Sequence, residues 1–245
     1  MLKSARRPSV FSFTLDKLGR QIVSGHYSPD GVIPPEAKLC GQLGASRGVL
    51  REVLRVLNEK GLVTAQPKVG IRVQPESKWN VMDTDVLDWL WDCQPRTNYI
   101  REFLEFRLTI EPAAAYAAAL NATDEERQEI SDLCIQLHQE GERIMDRASD
   151  ESAQDVDLKF HMAIFRASHN RMMIYVGNMI GHIMRQQIAV TTSVPGAFRE
   201  GLPLHRIMVE AICERDGEAA ARATEENVRL TQVHLQEAGS NETTA

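Results

Sequence analysis

The sequence predicts a mainly α chain, with a small N-terminal unit of helices closed by a β-hairpin and then a long all-helical bundle. Three observations carry this. Leu43 to Leu54 reads as a turn, a capped helix start and a helix. Two short β-type runs follow it around a Pro- and Gly-bearing turn. From Asp83 onward, apolar residues recur at three- and four-residue spacing with no convincing strand.

Taken in order, Phe13 to Ser24 shows helical spacing in Leu15, Leu18 and Ile22 and stops at Gly25. The turn-rich stretch Ser28 to Pro35 leads into a short helix from Pro35 to Leu43, with proline in its first turn. Gly44 suits the tight turn that follows. Ser46 can cap the next helix with its hydroxyl, while Val49, Val53, Leu54 and Leu57 supply a buried stripe. Arg47 and Arg51, one turn apart, are left pointing outward. Lys60-Gly61 ends that helix, and Leu62 to Ala65 and Ile71 to Val73 form a hairpin around the turn between them. Two helices, a tight turn and a hairpin make a winged helix-turn-helix, here over residues 1–74, and two outward arginines on its second helix are what a DNA recognition helix presents.

Residues 75–82, polar and Pro-bearing at their start, read as a linker. Beyond them, helices are expected at 84–93, 97–119, 123–147, 151–168, 170–191, 200–214 and 216–236, with Thr123 and Asp124 opening the third beside acidic first-turn residues. Long helices with short connections predict a bundle over residues 83–238. The polar tail over 239–245 is expected to fray.

The net charge of −6 hides a split between the two parts. Residues 1–80 carry 13 Lys and Arg against 6 Asp and Glu, which leaves 15 against 28 for the remainder. The basic end is therefore the expected polyanion contact. Cys40, Cys93, Cys134 and Cys213 show no Cys-x-x-Cys spacing and each sits in or beside an apolar periodic segment, which reads as buried free thiols. Lys3, Arg6 and Arg7 are followed by Pro8 to Phe13, not by a signal-peptide core, and no apolar run approaches membrane-spanning length. A cytoplasmic protein with no membrane partner is the expectation.

Within the bundle, Asp157 and His161 are four residues apart and project to the same side of a helix, as two metal ligands on one helix must. A carboxylate orienting a core histidine uses the same spacing. Arg107 lies among Phe103, Leu104, Leu108, Ile110 and Ala113 to Ala115, and could simply pair with Glu111 four residues on.

The winged helix resembles that of GntR-type bacterial regulators in Pro35-Glu36-x-x-Leu39, Leu43-Gly44-x-Ser46-Arg47, Val49-x-Arg51-Glu52-x-Leu54, Leu57-x-x-x-Gly61-Leu62-Val63 and the wing residue Gly70. The remainder resembles the all-helical effector domain, FCD, of the fatty-acid-regulator (FadR) subfamily. The cues are Arg107-x-x-x-Glu111-x-x-Ala114-Ala115, Asp157-x-x-x-His161 with Phe160, Asn170, and His205-x-x-x-Val209-x-Ala211-Ile212 followed by Asp216 and Ala220.

That resemblance implies a DNA-binding transcriptional regulator, more often a repressor released by its effector, acting as a homodimer on double-stranded operator DNA. It assigns DNA contact to Ser46, Arg47, Arg51, Lys68 and Gly70, with the two arginines suited to bidentate contact with guanine and Gly70 letting the wing enter the minor groove. Many relatives carry a further arginine where this chain has Ala37. It also implies a divalent metal, zinc first with nickel or manganese as alternatives, held by Asp157, His161 and His205, with Asn227 where relatives have another histidine. His234, seven residues further on, reads as out of phase. Arg107 matches an arginine that grips an effector carboxylate, so Arg107 beside a metal implies a small hydroxy-carboxylate effector. The segment Trp79 to Trp89 resembles the junction in sugar-acid regulators of the galactonate type. Two other function classes remain at this stage: a metal-dependent enzyme acting on a carboxylate, and a DNA-binding protein with no ligand response.

Overall fold

Ser9 accepts a hydrogen bond from the Ser12 N–H and opens α1 (Val10–Val23), three residues ahead of the expected start. The structure is a computed structural model that describes residues 9–66, 69–93, 97–144 and 150–242. Lys68 lies outside the described residues. The chain divides into two compact units, the first ending at Ile100 and the second beginning at Arg101.

In the first unit, α2 (Glu36–Leu43) and α3 (Arg47–Glu59) form the helix-turn-helix, followed by β1 (Val63–Gln66) and β2 (Gly70–Val73) as an antiparallel wing. Val63 pairs with Val73 and Gln66 with Gly70, and Val32 adds a bridge to Arg72. Leu18, Ile22, Leu39, Leu50, Val53, Leu57 and Leu62 are almost wholly buried and make the core. Leu50 takes the inner position expected for Val49, which is only half-buried. With Val53, Leu54 and Leu57 it completes a stripe at three- and four-residue spacing.

Within the segment expected to be a linker, Trp79 packs onto this unit while residues 76–78 and 80–82 are exposed. Trp79, Val86 and Trp89, the last two on α4 (Thr84–Asp92), belong to the same buried cluster as Leu18 and Leu57. The Trp79 indole N–H donates to the Gln74 carbonyl at 2.9 Å, and that of Trp89 to Asp16 Oδ1 at 3.0 Å. Lys60 reaches Asp83 at 2.6 Å and Asp85 at 2.8 Å. Two indoles carry a large apolar area, and burying it outweighs the turn signals of Pro75 and its polar neighbours.

The second unit is built of helices joined by short turns. α5 (Thr97–Asn121) starts just before it, and α6 (Asp124–Ile144), α7 (Glu151–Ala167), α8 (Arg171–Thr191), α9 (Ala197–Cys213) and α10 (Gly217–Glu242) follow. Thr123 and Glu126 form a reciprocal capping box at the start of α6, with bonds of 2.9 and 3.2 Å, while Asp150 and Asn170 cap α7 and α8. The core is built from Leu137, Phe160, Met208, Ile212 and the alanines of α5 and α10. Gly177 and Gly181 let α8 approach α7 closely, since a Cβ there would stand 2.5 Å from Phe165 and 2.8 Å from Met162. That approach presents α7 and α8 to one interior space. α10 continues through Glu242, past the expected end at 236 and into the expected tail.

All four cysteines are free, but only Cys134 is buried; Cys40 and Cys93 are half-buried and Cys213 is exposed. Cys213 ends α9 on the solvent side, which local apolar neighbours do not reveal. Among the described residues, no helix is long and apolar enough to cross a membrane.

Candidate DNA-reading helix and metal centre

Gly44 ends α2 at φ +64°, in the left-handed region glycine favours, and its N–H returns to the Cys40 carbonyl. Two residues later Ser46 caps α3, accepting the Val49 N–H on its hydroxyl at 3.3 Å. Arg47 and Arg51 are exposed on α3, whereas Arg55 is tied to Glu52 and Glu59. Arg51 Nε meets Glu36 Oε2 from the start of α2 at 3.2 Å, a contact not foreseen from sequence. Its side chain is 71% exposed, so the pair is worth little and costs little to break. Gly70, in the wing, has φ +109°.

The second unit holds a different chemistry. Asp157 and His161 on α7 and His205 on α9 each bring a ligand-type atom into one cluster in which all lie within 4.8 Å of one another. All three residues are buried. His205 Nε2 stands 3.3 Å from Asp157 Oδ1 and His161 Nε2 stands 3.5 Å from it. Neither contact has hydrogen-bond geometry, and Asp157 Oδ1 and His205 Nε2 are left buried without a hydrogen-bond partner. Buried polar atoms are almost always paired, so two orphaned ligand atoms facing each other fit a cation between them. Burial opposes ionisation of Asp157, but the adjacent imidazoles of His161 and His205 outweigh it and hold the carboxyl below the usual carboxylate range.

One imidazole is held from behind by a hydrogen bond, and the other has a carboxylate nearby. His205 Nδ1 lies 2.9 Å from the Gly201 carbonyl, and His161 Nδ1 lies 3.6 Å from Glu111 Oε2. His205 thus presents Nε2 inward with its other nitrogen bonded to an acceptor, the arrangement that fixes tautomer and orientation in metal-ligating histidines. A donor set of two imidazoles and one carboxylate suits zinc, nickel or manganese and leaves coordination positions open.

Arg107 is fully buried on α5 and lines the same cavity. Its Nε and Nη2 bond the two oxygens of Glu111, the second at 3.1 Å, and Nη1 bonds Gln187 Oε1. Three of five guanidinium N–H donors are therefore engaged, and two are left for a further acceptor. The Glu111 oxygen that accepts from Arg107 Nη2 lies 3.6 Å from His161 Nδ1.

Asn227, on α10, is 6% exposed and lines this cavity beside His205, its amide without a side-chain partner. His234 lines it too, which corrects its reading as out of phase. Seven residues are two helical turns to within about 20°, so positions 227 and 234 share a face of α10. Gln187, Thr191 and Thr231 complete the polar wall. Their three- and four-residue spacing along α8 and α10 was visible in the sequence, but the spatial pairing of those helices was not.

Comparison with known proteins gives the same division. The family described as bacterial regulatory proteins, gntR family, matches residues 12–73, and the FCD domain matches residues 102–230. The galactonate operon transcriptional repressor of Escherichia coli strain K12 is 31% identical over 211 residues, covering 84% of this chain and 88% of that protein. An uncharacterized HTH-type transcriptional regulator of the same strain, YieP, is 29% identical over 214 residues, covering 87% and 90%. The solved structure of Lar, which controls the expression of the Listeria monocytogenes agr system, matches with a TM-score of 0.60 at 15% identity over 97% of this chain and 99% of that one. At that identity the likeness speaks to fold alone.

Proposed function

The chain belongs to the GntR family of bacterial regulators, with an FCD domain, and is a DNA-binding transcriptional regulator with an effector domain; we propose that it is a repressor released by a small hydroxy-carboxylate bound at a metal centre. Its relatives are regulators, which removes the metal-dependent enzyme as a reading. FCD domains commonly hold a metal, and the observation that carries the proposal is the pair of orphaned atoms, Asp157 Oδ1 and His205 Nε2, beside a cavity lined by Arg107.

In this reading Asp157, His161 and His205 hold a divalent ion, zinc first, and Asn227 supplies an amide oxygen as a weak fourth ligand. The effector's carboxylate and α-hydroxyl fill the open positions, and the spare N–H donors of Arg107 meet the same carboxylate. A sugar acid is the favoured member of that class, supported by similarity to the galactonate operon repressor. On DNA, Arg47 and Arg51 read guanines, Ser46 and Gly70 lie against the backbone and minor groove, and Lys68 neutralises phosphate. One winged helix reads few base pairs, so a homodimer on a palindromic operator supplies the affinity, in the cytoplasm where that DNA lies. Release follows if the acid binds the DNA-incompetent arrangement of the dimer more tightly than the competent one.

The test is elemental analysis of protein purified without chelator or affinity metal, followed by melting with each of zinc, nickel and manganese, with and without D-galactonate. Retained metal, and a melting temperature raised by the acid only in metal-loaded protein, is the expected result. No metal retained, and no rise with any of the three ions, overturns the metal centre.

A further inference from the structure

In the first unit, the segment from Asp30 to Ile33 runs beside β2. The Asp30 N–H donates to the Val73 carbonyl at 3.1 Å, the Val73 N–H to that of Gly31 at 2.9 Å, and the Ile33 N–H to that of Ile71 at 2.9 Å. Side chains alternate along a strand, so Ile71 and Val73 turn to the core while Gly70 and Arg72 share the outer face. Arg72 does not extend freely from that face. Its Nε and Nη2 both donate to the Asp30 carbonyl, at 2.9 and 2.6 Å, which folds the guanidinium sideways over the neighbouring segment. Asp30 stands in the left-handed region at φ +60°, a conformation aspartate tolerates better than most residues, and its N–H bond to Val73 fixes the anchor in place.

The brace is electrically neutral. A carbonyl carries no net charge, and among the described residues Arg72 meets no carboxylate, so its full positive charge and three of its five N–H donors stay available. Arg20, Arg55 and Lys60 of the same unit are instead paired with Asp or Glu. An arginine already held by a neutral acceptor has given up side-chain freedom before a ligand arrives, and loses less on meeting one. Two residues of a strand span about 7 Å, which sets the distance along β2 from Gly70 to Arg72. We propose that Arg72 is a phosphate-binding residue of the wing, meeting the DNA backbone that flanks the groove Gly70 enters. This rests on the reading that Gly70 lies in the minor groove. The sideways fold of the guanidinium aims it at the flank and not into the groove. Phosphate is the matching group there, because a charged fork of N–H donors fits two of its oxygens. Such a contact adds affinity and sets register without reading sequence.

The test starts with full-length wild type selecting a duplex from a random library, after which that duplex and the unselected library serve as probes. Arg72→Gln keeps a donor for the Asp30 carbonyl, Arg72→Met keeps none, and Arg72→Lys keeps the charge. Tryptophan emission checks that the first unit of each is folded. Both neutral variants should bind the two probes more weakly by one common factor. With two contacts per dimer, the slope of log affinity against log salt should fall in magnitude by about 2, so the advantage of wild type shrinks about tenfold between about 50 and 200 mM salt. Arg72→Lys should keep the wild-type slope, and selection repeated with Arg72→Gln should return the wild-type consensus. A wild-type slope in the neutral variants, or a lost slope in Arg72→Lys, reduces Arg72 to a brace for Asp30 and overturns the proposal. A changed consensus overturns it in favour of base reading. If N3-methylation of adenines in the selected duplex nowhere hinders wild type, the minor-groove reading of Gly70 falls and takes the flanking contact with it.

Discussion

The indole of Trp89 fills the space against Gly19: a Cβ at position 19 would stand 2.4 Å from the ring. The same indole donates to Asp16, one turn back on α1, and Asp16 is bridged by Arg20 to Asp92 at the end of α4. A side chain, a hydrogen bond and an ion-pair chain thus bind α4 to the recognition unit. Of these the buried ring is the strong component, since the ion pairs are half exposed and each is worth little.

Gly19→Ala should therefore destabilise the first unit by about 1–3 kcal/mol through overpacking, and Trp89→Ala by about 3–5 kcal/mol through the lost ring. The chain has three tryptophans, Trp79, Trp89 and Trp91, all in this unit, so tryptophan fluorescence during urea unfolding follows it selectively. A midpoint unchanged in both variants would show that α4 is merely resting on α1.

Much of this architecture was legible because its signals are local. Gly44, Ser46 and the two arginines sit within one turn and one helix start, and the Asp157–His161 spacing is fixed by helical periodicity. What was hidden is long in sequence. Arg107 and Gln187 are 80 residues apart and Trp89 and Asp16 are 73 apart, and no local pattern announces either contact. His234 was a different kind of miss, because its phase on α10 follows from the same helical geometry that revealed Asp157 and His161. Glu111 was read as a partner for Arg107, and it is one; its second relationship, to His161, depends on α5 lying beside α7.

On the DNA side, Arg47→Ala and Arg51→Ala should each cost about 1–3 kcal/mol of operator affinity, concentrated at the base pairs they read. Glu36→Gln removes the carboxylate from Arg51 and should change affinity far less, because the pair is largely exposed. A systematic base-substitution series in a gel-shift assay separates the two behaviours. Full operator affinity in the double arginine variant would reassign the reading surface.

The capping box of α6 gives a pH signature. Burial alone would raise the Glu126 carboxyl, but hydrogen bonds from His169 and from the Thr123 N–H hold it below its usual value. A depressed acid contributes in full above its unfolded pKa, about 4.3 for glutamate, and loses that contribution as pH falls through the lower folded value. The stability difference between wild type and Glu126→Gln should accordingly be largest near neutrality and shrink as pH falls below about 4.3. Denaturant midpoints at several pH values measure it, and a difference that grows towards acid would reverse the assignment. Thr123→Ala should cost about 1 kcal/mol for the lost cap.

Arg107 needs a more careful variant than alanine. Removing it alone leaves Glu111 buried without its counter-ion, a change worth about 3–5 kcal/mol, so lost folding would be mistaken for lost response. The double variant Arg107→Gln, Glu111→Gln removes both charges while keeping polar groups at both positions, the one at 107 shorter than arginine. It should fold and bind operator like wild type. With the carboxylate gone from behind His161, its metal affinity should fall by about 10- to 100-fold, so zinc is supplied in excess. Under that condition fluorescence anisotropy of labelled operator should show release by D-galactonate from wild type and none from the double variant at concentrations that saturate wild type. Glu111→Gln alone leaves Arg107 buried without its counter-ion, so it is compared only if its melting temperature matches that of the double variant; with zinc in excess it should then still be released by the acid. If the double variant responds like wild type, Arg107 does not hold the effector and its role is confined to neutralising Glu111. If Glu111→Gln alone is as unresponsive as the double variant, the carboxylate rather than the guanidinium transmits the effect.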